Sequence, residues 1–599
     1  MNKTLEQRSD DFLRISGQFK LGVLVTEGSH PVTANLSEVA RTDIAAALKL
    51  LLEVDADVLR AFREFVASGR AGAIRAEVVQ ALANGGRIFF TGCGSTGRLS
   101  ILLDSVWRDF WQNAGDAGAK YVDRTFSVMS GGDYALIKSV EGFEDFAVFG
   151  RKQMTDLAVS ARDVVFAITE GGETSFVIGT AWAGVDAGAK VYFVYNNPDA
   201  ILCQHVERSR EVIQDARIEK INLTTGPMAI SGSTRMQATS IQLCVMLTVL
   251  EMVARELTGQ PAAAVSGAGE ELLAGLAAAH AGLLAPEFLA ALATLVALEE
   301  TTYRQGRKHD YFASHLAIDV LTDTTERSPT YCTPPFRKFD DLRATESWAF
   351  LFVPETRTEL AWERLLKRPP RCVEWSPAEV RALVPPENAE RSVATIEKIR
   401  TRELLRYKID CAGMPHRPLV TGDSATAVLV AREHADARQF LLAQLAAARG
   451  VQARTGLLYF GPENPALAAA AEAVAWVPVP ASKLLLDGVT RVVVKLVLNA
   501  LSTCTMVRLG RVMGNYMVWV VPSNLKLIDR ATRYIVRLTG LEYAAANRLL
   551  FEIIGHVEPR MKADQAYPPV VRMAVLRAKG NLANAEAEAR IRAEARGGV

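Results

Sequence analysis

The sequence predicts an α/β protein with two tandem, doubly wound, mostly parallel sheets, a helical layer before them and a small helical cap after them. Three observations predict this. Short apolar β-rich runs alternate with helical segments; glycine-rich turns follow the first and third runs; and the alternation resumes after an Ala-rich helical stretch at 262–301.

Residues 38–83 carry helical apolar spacing with few breakers and predict an amino-terminal helical layer. The period then changes. GRIFFTG (86–92), RTFSVMSGG (124–132), VVFAIT (164–169) and VYFVYN (191–196) read as buried strands, with helices between them over Arg98–Phe110 and from about Thr174. In the second half AFLFV (349–353), RPLVTG (417–422), TGLLYFG (455–461) and AVAWVPV (473–479) are the strand candidates, and the Ala/Arg/Glu-rich tail reads as helical. The expected division is 1–60 for the helical segment, 61–265 and 266–540 for the two sheet domains, and 541–599 for the cap.

Composition limits the function. The 599 residues are 49% hydrophobic, with 68 basic against 67 acidic side chains, which excludes a disordered chain or a disulfide miniprotein. Balanced charge without a Lys/Arg run lacks the footprint that nucleic acid or anionic lipid requires, so an anionic ligand should be small and locally bound. The polar amino terminus has no signal-peptide core, and charged residues such as Lys495 break the apolar runs before 18 residues, so no membrane span and a cytoplasmic protein are expected. Seven scattered cysteines with no CxxC pattern predict reduced, mostly buried thiols and no metal site, and no organic cofactor is implied.

Two turns carry the chemistry. In TGCGSTGRLS (91–100) the glycines Gly92, Gly94 and Gly97 allow close backbone approach at a helix amino terminus, and Ser95 and Thr96 add hydroxyl donors. AITEGGETS (167–175) repeats this with Thr169, Gly171, Gly172 and Thr174. Both lie at carboxyl ends of strands in a parallel sheet, where two such turns can converge on one phosphate.

GCGSTGRLS, SGGDYALIKSVEGFED, ITEGGETSFVIGTAWAG and GPMAISGSTRMQA, in this order, resemble the sugar-isomerase (SIS) domain of the N-acetylmuramic acid 6-phosphate etherases and of the glucokinase regulatory protein family. LVTEGSHPVTANLS (24–37) and KLVLNALSTCTMVRLGRVMGNYMVWVVPSNLKL (495–527) extend the resemblance outward, whereas 335–480 is weakly matched. It implies two SIS domains forming an internal pseudo-dimer, itself a monomer or a homodimer. The second phosphate loop would be FASHLA (312–317), which has no glycine. The resemblance also implies roles for residues. TDTTERSPTY places Glu326 at the position of the etherase's catalytic acid, where the first domain has Val106, and VEGFED places Glu144 on the family's second carboxylate, with Glu141 beside it. Ser233 and Arg235 are kept from the signature segment, and Lys495 matches a lysine that reaches toward the phosphate. Met228 and Gln237 depart, standing where the family has Glu and Lys.

The expectation is one composite site in which the first domain holds the phosphate through Gly94, Ser95, Thr96, Gly97, Thr169, Gly171, Thr174, Glu141, Ser233 and Arg235, Lys495 of the second domain reaches toward it, and Glu144 and Glu326 face the sugar. Eliminating lactate from a muramic ether needs a base and an acid, which two carboxylates in different environments supply. The alternatives are a non-catalytic sugar-phosphate sensor with a sugar kinase as partner, and an aldose–ketose isomerase.

Overall fold

A computed structural model describes residues 4–16, 21–116, 118–561 and 567–595. Strands β1 (Ile88–Gly92), β2 (Thr125–Met129), β3 (Val164–Ile168), β4 (Lys190–Tyr195) and β5 (Ile218–Asn222) form one sheet in the order β2-β1-β3-β4-β5. Strands β6 (His309–Ala313), β7 (Ala349–Phe352), β8 (Ser424–Val430), β9 (Arg454–Phe460) and β10 (Ala473–Val477) form a second in the order β7-β6-β8-β9-β10. All pairings in both sheets are parallel. Numbered from its own first strand, each sheet reads 2-1-3-4-5, so the second half repeats the topology of the first.

β1, β3 and β8 are buried along their whole length, which is why they read as apolar runs rather than alternating ones. Three strands, β5, β6 and β8, depart from the expected set; β6 (HDYFA) opens on the polar His309 and Asp310, which hide it from an apolar pattern. RPLVTG is loop, and β8 begins only at Ser424, because Arg417 turns in to pair with Asp310 and Glu346 and Pro418 has no N–H to give a ladder. β5 (IEKIN) closes the first sheet as an edge strand; its exposed Glu219 and Asn222 hide it from an apolar pattern.

Four helices, Leu36–Thr42, Ile44–Glu53, Ala56–Ala67 and Arg70–Ala83, form the amino-terminal layer. The last strand of each sheet leads to a 21-residue apolar helix, Gln237–Leu257 and Gly488–Arg508. Both are long and apolar enough to cross a membrane by length and composition. They pack instead against each other at the junction of the two halves and are buried almost throughout, since a helix apolar all round needs covering on every side. The carboxyl-terminal helices start at Leu525, earlier than expected, and Tyr543–Val557 receives the first helix, Leu5–Ile15, with Ser9 Oγ donating to Asn547 Oδ1 at 2.7 Å.

The weakly matched stretch contains an insertion between β7 and β8 that folds back onto the first half. Arg368 is buried between Asp104 and Asp133, and Trp375 stacks on Phe143 with ring centroids 5.6 Å apart. Of the seven cysteines only Cys244 and Cys504 are buried, the other five being partly exposed, which corrects the expectation of mostly buried thiols.

Candidate functional site

The first turn is shaped from inside. A Cβ on Gly92 would lie 2.3 Å from the Thr96 carbonyl carbon, and one on Gly97 would lie 2.6 Å from Met129 Cγ, so neither position accepts a side chain without a shift. The Thr96 hydroxyl accepts from the Cys93 N–H and donates to the Cys93 carbonyl, both at 3.0 Å, closing the turn on itself. Gly94, at φ +55°, delivers the chain into the helix Ser95–Gln112. Thus Thr96 and Gly97 hold the turn, and Gly94 and Ser95 line a cavity of about 750 Å³.

The second turn enters the same cavity through Glu170 and Thr174. Thr169 Oγ1 lies 3.1 Å from Thr174 Oγ1 and accepts from Gly172 N, so Thr169 braces the turn, while Gly171 packs beside the Glu173 carboxylate. Glu173 pairs with Lys526 at 2.5 Å and with Arg208 at 3.2 Å. These cations overcome burial and hold its carboxyl at about 2.

Glu326 comes from the second half. It lies on the helix Ala317–Tyr331, which carries Pro329 in its last turn, and it meets the first half directly. Ser95 Oγ donates to Glu326 Oε2 at 3.0 Å, and Arg98 Nη1 donates to Oε1 at 2.5 Å. Arg98 also donates to Thr325 Oγ1 and to the Leu136 carbonyl, so its buried charge is well partnered. Glu144 closes the short helix Glu141–Glu144 and lines the cavity, its carboxylate accepting from Cys93 Sγ at 2.9 Å. Burial pushes its carboxyl above the usual range, against the pull of Lys526 and the thiol. The Glu141 side chain lies outside what the structure describes.

Ser233 and Arg235 also reach the cavity, and both are buried with unused donors. Arg235 Nη2 is engaged by Ser502 at 2.6 Å and Asp323 at 3.2 Å, whereas Nε, Nη1 and the Ser233 hydroxyl have no partner. Lys495 stands behind them, lining a separate cavity of about 50 Å³ beneath the Arg98–Glu326 pair and donating to the Arg235 carbonyl at 2.8 Å. Burial, with Arg235 nearby, lowers Lys495 to about 8. Gln237 does not line the cavity: it bridges Asp55 Oδ1 and the Ala229 N–H, both at 2.9 Å.

In the second half the corresponding loop is filled by the chain itself. His315 N donates to Glu433 Oε1 at 3.1 Å, so a carboxylate occupies the amide of this turn. The His315 ring lies against Arg432 and Arg491, and burial together with these cations lowers it to about 3, keeping it neutral.

Three site residues carried no role in the sequence reading: Glu170, Arg98 and Lys526. Each sits inside a segment quoted there, and a charged side chain within a Gly/Thr turn was the available signal for Glu170. Among the described residues no cluster of His, Cys, Asp and Glu is arranged to hold a metal ion.

The repeated 2-1-3-4-5 sheets, with a glycine turn facing carboxylates across their junction, define a tandem SIS-domain protein. Residues 72–183 match the family described as the glucokinase regulatory protein N-terminal SIS domain. The chain belongs to the N-acetylmuramic acid 6-phosphate etherase family. It is 30% identical over 226 residues to the etherase of Yersinia pestis (strain Pestoides F), covering 38% of this chain and 69% of the relative. It is 29% identical to that of Clostridioides difficile (strain 630), again over 38% and 69% of the two chains. Among solved structures, the C-terminal domain of glucosamine-fructose-6-phosphate aminotransferase from Francisella tularensis is similar at 11% identity and a TM-score of 0.42, covering 78% of this chain and 97% of that one. Tagatose-6-phosphate ketose/aldose isomerase from Escherichia coli is similar at 10% identity and a TM-score of 0.41, covering 80% and 95%.

Proposed function

We propose that this protein binds a phosphorylated amino sugar in the cavity between its halves and cleaves its lactyl ether, as the name of its etherase relatives describes for them. The observation that carries the reading is the contact of Ser95 and Arg98 with Glu326, which puts a carboxylate of one half against the anion-binding turn of the other. The phosphate would lie on the two turns at Gly94–Ser95 and Thr174, with the unused donors of Ser233 and Arg235 turned to the ligand's oxygens. Elimination needs a base for the proton next to the carbonyl-derived carbon and an acid for the departing ether oxygen. Glu326 is ion-paired and Glu144 is raised by burial, so Glu144 suits the acid and Glu326 the base, the reverse of what the family resemblance suggests. This reading assigns the protein to the cytoplasm.

A second reading is a sugar-phosphate sensor acting on a sugar kinase, favoured by the match of residues 72–183 to the regulatory-protein family and by the two halves residing in one chain. Lactate release from N-acetylmuramic acid 6-phosphate decides between them. Release that disappears in Glu144→Gln establishes the lyase. No release, with the same compound or a fructose phosphate still raising the melting temperature, establishes the sensor and leaves the lyase untenable.

A further inference from the structure

Glu170 is an acidic residue set in a turn whose backbone is built to receive an anion. It directly follows Thr169 and precedes Gly171 and Gly172, is 8% exposed, and lines the large cavity. Its Oε1 is buried with no hydrogen-bond partner, although four ionisable groups from other elements face it: the Cys93 thiol of the first turn, Glu326 of the helix Ala317–Tyr331, Lys495 of the long helix Gly488–Arg508, and Lys526 of the helix Leu525–Thr539. Neither lysine bonds to it: Lys526 is committed to Glu173, and the one bond Lys495 makes is to the Arg235 carbonyl. Its neighbour Glu173 shows the contrast, with a carboxylate paired on both oxygens.

An ionised carboxylate with its own backbone N–H as a donor and Oε1 left unpartnered would repel a phosphate dianion and forfeit much of its hydration. A protonated one has an O–H to donate to a phosphate oxygen. We propose that Glu170 is a ligand-contacting, proton-carrying residue of the phosphate turn, so that the protein binds a sugar phosphate together with one proton and discriminates against the anion as pH rises. The inference rests on the ligand class proposed above. Burial, reinforced by Glu326, places the Glu170 carboxyl at about 7, so the exchange falls within the physiological range. The phosphate monoester has its own second ionisation near pH ~6, below that window.

The test is calorimetric titration of the full-length protein with N-acetylglucosamine 6-phosphate, which carries the phosphate and has no lactyl ether to lose, between pH 6.5 and 8.0. In the wild type the affinity should fall about eightfold across this range, and runs in buffers of different ionisation heat should show proton uptake approaching one per ligand at pH 8. Glu170→Gln, which keeps a hydrogen-bond donor and cannot ionise, should bind with less than about a twofold change over the range and more tightly than the wild type at pH 8. An unchanged slope in the variant, or a wild type that binds with no proton uptake, overturns the proposal. The uptake measurement needs no variant and stands if Glu170→Gln does not fold. Absence of binding by both proteins at every pH would instead overturn the ligand class itself, and with it this inference.

Discussion

Ser95 and Glu326, 231 residues apart in the chain, are joined by a 3.0 Å hydrogen bond across the junction of the two sheets. Each half therefore carries what the other lacks. The first supplies an open glycine turn and Glu144; the second supplies Glu326 and has its own turn closed by Glu433. The insertion before β8 belongs functionally to the first half, since Trp375 stacks on Phe143 in the short helix that ends at Glu144.

Replacing Glu326 separates chemistry from folding. Glu326→Gln keeps one carbonyl oxygen as an acceptor but not the charge that pairs with Arg98; it should lower turnover of N-acetylmuramic acid 6-phosphate by about 10²–10⁴-fold and cost only part of the stability lost when the side chain is removed altogether. Glu326→Ala leaves the buried Arg98 guanidinium without its carboxylate and should cost about 3–5 kcal/mol of stability. Denaturant melts beside lactate assays check both. Equal losses of stability in the two variants would contradict the assignment.

A single open site fixes the stoichiometry. Titration with a sugar phosphate should give one ligand per chain, and Glu433→Gln should leave that number and the affinity unchanged, because the neutral side chain still accepts from the His315 amide. Two equivalent sites in either protein would show that the second turn opens in solution.

The sheets were legible in the sequence because buried parallel strands are continuous apolar runs, and β1, β3 and β4 stand out on that ground alone. β5 was not legible, being a polar edge strand, and RPLVTG imitated a strand whose arginine in fact anchors a loop to Asp310. At the site, the turn glycines and both carboxylates could be named from motifs. Which hydroxyls face the cavity could not: Thr96 and Ser95 are adjacent and chemically alike, and only the fold turns one onto Cys93 and the other onto Glu326. Lys526 became a site residue through a helix that packs more than 350 positions away from Glu173, a relation that carries no local pattern.

Asp55 should make the protein less stable as pH rises. It is buried, bonded to Gln237, and raised by burial to about 7 from an ordinary value of 3.8. Between these values the folded chain keeps a proton that the unfolded chain has released, so stability falls from pH ~4 to pH ~7 and is level beyond it. Asp55→Asn preserves the acceptor for Gln237 and removes the titration. Its melting temperature should exceed that of the wild type at pH 8, with the difference shrinking to nothing near pH 4. A constant difference across the range would mean that Asp55 is ionised in the folded protein.

Glu27 should act in the opposite sense at the other end of the pH scale. Its buried carboxylate receives Arg530 at 2.5 Å and Arg533 at 3.0 Å, ties the amino-terminal motif to the carboxyl-terminal helix Leu525–Thr539, and is held at about 2 by those cations against the cost of burial. A carboxyl depressed below its ordinary value stabilises the fold fully above about pH 4.5 and loses that contribution as pH falls toward 2. Glu27→Gln leaves the Arg530 guanidinium without its counter-charge and Arg533 with Asp529 alone, and should cost about 3–5 kcal/mol at pH 7. Denaturant melts of the two proteins between pH 7 and pH 3 should therefore converge as the acid limit is approached. If the gap stayed constant, hydrogen bonding rather than charge would be what Glu27 contributes to holding the two ends of the chain together.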